Sequence, residues 1–111
     1  MASYLFRFTY TTESWAALVE HPEDRRETLA TTMFAFGGQL QGFWYSLGDY
    51  NGYALVELPD NVAAASVLAA ISATGSLRKF DAIVLLSADE MVEAFGHARD
   101  LRYKEPGTLS D

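Results

Sequence analysis

The chain has 111 residues and no cysteine, half of its residues are hydrophobic and 14% are aromatic, and its formal net charge is −7. That length and apolar share fit one domain with a sizeable core, and they exclude global disorder. The acidic balance disfavours nucleic acid and anionic membrane surfaces, because both require a basic face. Without thiols there are no disulfides, no thiolate metal sites and no cysteine nucleophile.

The N-terminal stretch Met1 to Arg7 lacks the basic and apolar segments of a secretory leader. No apolar run is long enough to span a membrane. A cytoplasmic protein is the expectation.

Tyr4 to Tyr10 alternates, with Tyr4, Phe6, Phe8 and Tyr10 on one side and Leu5, Arg7 and Thr9 on the other. This is a first strand with an aromatic face. Thr11 or Thr12 caps a helix, with Glu13 in its first turn and Trp15, Leu18 and Val19 as its apolar stripe. Pro22 interrupts it. The proline reads as the first position of a renewed segment, with Glu23 and Asp24 near its positive end. Leu29, Met33 and Phe36 continue the apolar face, and Gly37-Gly38 ends it. One long helix, broken or bent near His21-Pro22, is expected.

Gln39 to Leu47 is a second strand, in which Gly42 marks a bulge or a close backbone approach. Gly48-Asp49 and Asn51-Gly52 tolerate positive φ and predict a tight hairpin. Tyr53 to Leu58 is the third strand, stopped by Pro59. Asp60 caps a helix over 61–73, with Ala64, Val67, Leu68 and Ile71 on one face. Leu77 to Leu86 is the fourth strand, and its Ile83 to Leu86 run predicts burial on both sides. Ser87 caps a last helix to about Ala98, with Met91, Val92 and Phe95 expected inward. The domain therefore covers 1–98, and 99–111 is a tail.

The order β-α-β-β-α-β plus an extra C-terminal helix is the α+β, ferredoxin-like pattern. It predicts a four-stranded antiparallel sheet with helices on one face. The other face is open in a single chain yet rich in apolar residues. A homodimer through that face covers it most simply, with a higher oligomer through edges or tail as an extension.

The run Ser46-Leu47-Gly48-Asp49-Tyr50-Asn51-Gly52, followed by Val56-Glu57-Leu58-Pro59-Asp60, resembles the GYD domain family. Gly37-Gly38 and the Tyr4-Leu5 start extend the resemblance over roughly residues 4 to 97. Asn51 stands where that family usually has Asp, which keeps the turn geometry but removes a charge. The resemblance implies a dimeric α/β-barrel. Similar barrels include cofactor-independent monooxygenases, haem-handling enzymes, lactone isomerases and ligand-sensing modules.

The residues themselves name few candidates. His21 lies at the helix break and His97 at a helix end, and neither has metal-ligand spacing to a partner, so no metal and no cofactor are expected. Asp49 reads as a turn residue rather than a base. No catalytic set can be assigned. Arg7 is a cation on a strand, and Glu57 is its candidate partner if the two share a face. Tyr10, Trp15, Trp44 and Tyr50, with Arg7 and Glu57, are the candidate ligand-binding group, suited to a small apolar or aromatic molecule. Two functions follow. One is a binding or protein-interaction module without catalysis. The other is a cofactor-independent oxygenase or isomerase working inside the barrel.

Overall fold

The aromatic strand is central in the computed structural model, which describes residues 1–107. It is β1 (Ala2–Tyr10), followed by α1 (Thr12–Glu20), α2 (Arg26–Ala35), β2 (Gln39–Tyr45), β3 (Gly52–Leu58), α3 (Asn61–Ser72), β4 (Leu77–Leu85) and α4 (Ala88–Arg99). The strands form one antiparallel sheet in the order β2-β3-β1-β4. This is the expected α+β, ferredoxin-like arrangement.

Period-two alternation sorts the sheet into two faces. Tyr4 and Phe6 of β1, Ala54, Val56 and Leu58 of β3, Met33 of α2 and Val67 of α3 form the buried core on the helix side. Leu29 and Phe36 extend it from α2, and Ile71 from α3. Thr11, Asp60 and Ser87 cap α1, α3 and α4 by accepting backbone N–H bonds. Gly37 adopts φ 82° and closes α2, with Gly38 N–H donating to the Met33 carbonyl and Gly37 N–H to that of Phe34.

Four expectations need correction. The first is the single long helix, of which the break near His21-Pro22 holds and the bend does not. Residues 21–25 are a linker between two separate helices. Pro22 has no N–H to continue α1, and the Asp24 carboxylate accepts the Arg26 N–H at 3.0 Å, which starts α2 four residues later.

The second is the tight hairpin. Among the described residues no non-glycine has positive φ, and neither do Gly48 or Gly52. The connection over residues 46–51 instead arches across β1, where Asn51 N–H donates to the Phe8 carbonyl (2.9 Å) and Thr9 Oγ1–H to that of Asp49 (2.9 Å). Gly52 belongs to β3, and the Phe8 ring occupies the space where a Cβ would stand.

The third is the Ile83 to Leu86 run. Val84 is 53% and Leu86 60% exposed, because β4 is an edge strand whose end runs past the helices.

The fourth is α4. It buries no residue, and Val92 and Phe95 are 66% and 60% exposed. The molecule measures 67 × 31 × 23 Å, and its radius of gyration of 18.6 Å exceeds the roughly 13 Å of a compact domain this size.

The Gly42 expectation holds as the bulge, and the close neighbour is a side chain rather than backbone. The β2–β3 register shifts between Leu40 and Gly42, and the Trp44 ring lies against Gly42.

Candidate functional site

The core does not fill the helix side completely. α1 buries none of its residues, so its stripe stands away from the sheet. The space left between α1, α2, α3 and the sheet is a half-open cavity of about 600 Å³. Its floor is Phe6, Phe8 and Phe80, and its sides include Leu18, Leu29 and Ile71. The three phenylalanines meet edge-on, with Phe80 5.3 Å from Phe6 and 6.4 Å from Phe8 between ring centroids.

One part of the lining is polar. Tyr10 is 8% exposed, and its hydroxyl lies 3.1 Å from that of Tyr45. Burial, then the Tyr45 hydrogen bond, pushes the Tyr10 hydroxyl well above the ordinary tyrosine range, while neighbouring Arg25 pulls the other way. Tyr10 therefore keeps its proton at neutral pH. Trp15 packs edge-on against the Tyr10 ring at 5.0 Å. Arg25 pairs with Glu23 at 3.0 Å, and both line the cavity together with His21.

A second polar group sits on the opposite, open face. Arg7 lies opposite Tyr53 and Asp81 in the ladder. Its guanidinium donates to both Asp81 oxygens, at 3.1 and 2.7 Å. Tyr50, carried over β1 by the 46–51 arch, donates its hydroxyl to Asp81 Oδ2 at 3.1 Å. The Tyr50 ring takes Arg7 Cζ at 4.1 Å and Lys79 Nζ at 4.4 Å from its centroid. The motif tyrosine is thus a clamp on an ion pair.

The six candidate residues are divided by the sheet. Tyr10 lines the cavity and Trp15 packs on it. Arg7 and Tyr50 form the open-face clamp. Glu57 shares that face with Arg7 but lies opposite Ser3, and its carboxylate accepts from Gln39 Nε2 at 2.7 Å. Arg7 takes Asp81 instead because Asp81 is its direct neighbour in the register. Trp44 lies opposite Tyr53 on the open face and is 56% exposed. Sequence reasoning missed Arg25 and Phe80. The Pro22 break with its charged neighbours was the one available sign of Arg25. Among the described residues no three His, Asp or Glu side chains converge as a metal site. No described helix is long and apolar enough to cross a membrane.

The Arg7 bond, followed by that of Tyr50 against the cost of burial, holds the Asp81 carboxyl below the usual carboxylate range. A depressed folded-state pKa stabilises above the unfolded value of about 3.9, and that contribution is lost as pH falls through the lower folded value. Wild type is expected to lose stability more steeply than Asp81→Asn as pH falls below about 4. Urea midpoints across that range measure it, and parallel profiles would refute the coupling.

The chain is an α+β protein of ferredoxin-like topology with an apolar cavity on its helix side. The GYD domain profile matches residues 4–95, and the chain belongs to the GYD domain family. No curated protein and no solved structure matches it significantly.

Proposed function

We propose that this protein is a cytoplasmic, homodimeric module that binds a small apolar or aromatic molecule between its helices and the aromatic side of its sheet. The cavity carries this reading. Its volume of about 600 Å³ lies within the range of small-molecule sites, and its lining surface is mostly apolar, with hydroxyl groups and the charged 21–25 linker at its margin. The helix-side placement departs from the expectation that Arg7 would anchor the ligand. Arg7 is engaged by Asp81 and Tyr50 across the sheet. The buried Tyr10 hydroxyl, protonated near neutral pH, can donate a hydrogen bond to such a molecule.

The dimer rests on the open face. Leu5, Leu55 and Ile83 lie side by side there with no helix above them. Trp44 extends this surface, and α4 projects from its edge with Val92 and Phe95 unburied. A second copy supplies the same apolar surface with the same symmetry.

A titration with a neutral aromatic probe, indole, followed by amide NMR, tests the cavity. Saturable shifts are expected at Phe8, Leu18, Leu29 and Ile71, with none at Leu5 or Ile83. Shifts confined to the open face, or no saturable shift, would overturn the reading.

A further inference from the structure

We infer that the natural ligand carries a single carboxylate on its apolar body, and that Arg25 receives it. This rests on the cavity being a ligand site. Three features of the lining point to the head group. First, the charged side chains of the lining come from one segment. Arg25 and Glu23 belong to the 21–25 linker, as does His21, and Arg25 acts on the Tyr10 hydroxyl, while the other polar lining residues are neutral serines and threonines. A ligand lying on Phe6, Phe8 and Phe80 therefore meets its charged contacts at that linker.

Second, Arg25 is the one lysine or arginine among the lining residues. Its ion pair is with Glu23, two residues away in the 21–25 linker. Both side chains are partly exposed, at 36% and 52%. An exposed pair of this kind is weakly held, so an incoming carboxylate can replace Glu23 on the guanidinium. Within the cavity the new pair is less screened, and the planar guanidinium fork matches a carboxylate.

Third, the charge count limits the head to one negative charge. Glu23 stays near Arg25 after displacement, and the whole chain carries −7. A dianionic phosphate would face one cation and a competing carboxylate. Tyr10, still protonated, adds a hydroxyl that can donate to the same head group.

The experiment compares 2-naphthoate with 2-naphthamide, which share a ring system and differ in charge. Dissociation constants come from amide NMR titration of wild type, Arg25→Gln and Glu23→Gln. Wild type is expected to bind the carboxylate about tenfold tighter than the amide, the size of one charge-assisted hydrogen bond. In Arg25→Gln the two probes should bind alike, with the amide unchanged. In Glu23→Gln carboxylate binding should strengthen about threefold, since its competitor is gone. Equal binding of both probes by wild type, or a preference that survives Arg25→Gln, overturns the carboxylate assignment and leaves the cavity as an apolar site. Failure of both probes to shift cavity amides overturns the cavity reading itself.

Discussion

Gly38→Ala is expected to destabilise the protein by about 3 kcal/mol or more, among the larger single-residue effects. The reason is backbone packing rather than left-handed geometry. A Cβ at Gly38 would collide with the Glu57 carbonyl and press on the Leu58 side chain. Neither can yield cheaply. Glu57 is held in register on both sides, opposite Ser3 of β1 and Gln39 of β2. Leu58 is fully buried in the core. Gly38 also donates the N–H that closes α2, so a displaced backbone there loses the helix stop as well. Gly96→Ala is the contrast. It sits within α4 with nothing within 4 Å of its Cβ position, so alanine should raise helix stability by about 0.5–1 kcal/mol. Urea unfolding of both variants checks this. An unchanged midpoint for Gly38→Ala would mean that the β2–β3 end is slack.

The same region shows what a sequence can and cannot carry. The period-two pattern of Tyr4 to Tyr10 and the 3.6-period pattern of Leu29, Met33 and Phe36 are local, so both elements and their buried faces were legible. Register was not. Arg7 and Asp81 lie 74 positions apart, and only the assembled β1–β4 ladder places them opposite each other.

The bulge in β2 makes the point sharply. Gly42 signalled an irregularity, but its effect depends on where the extra residue falls. With the shift between Leu40 and Gly42, Phe43 and Tyr45 turn to the helix side and Trp44 to the open side. That shift brings the Tyr45 hydroxyl to Tyr10, which an unbroken alternation from Leu40 would have denied.

The cavity had no local signal either. It exists because α1 ends before Pro22 and stands off the sheet, and helix tilt is set by tertiary packing. The apolar face of α4 was legible in the spacing of Met91, Val92 and Phe95. Its direction was not, because among the described residues α4 buries none of its own against the rest of the chain.

Leu5→Asp is expected to yield a folded monomer in place of a dimer. Leu5 is central on the open face, between Leu55 of β3 and Ile83 of β4. In the single chain this position is only half-buried, so a carboxylate there stays hydrated and costs the fold about 1 kcal/mol. Across a sheet-to-sheet seam the same carboxylate loses its water, and the nearby Arg7 guanidinium is already taken by Asp81. An unpaired buried charge on each copy should weaken association by about a thousandfold or more. Light scattering at micromolar concentration reads the mass, and far-UV circular dichroism reads the fold. A monomeric wild type would remove the dimer altogether. A variant that stays dimeric would move the seam away from the sheet and toward α4, whose apolar face is the other uncovered surface of the chain. The two surfaces act differently. The sheet face is rigid, because three ladders and the Arg7–Asp81–Tyr50 clamp fix it. It presents a preformed surface, whereas α4 buries none of its residues against its own chain, and preformed surfaces give up less entropy on association.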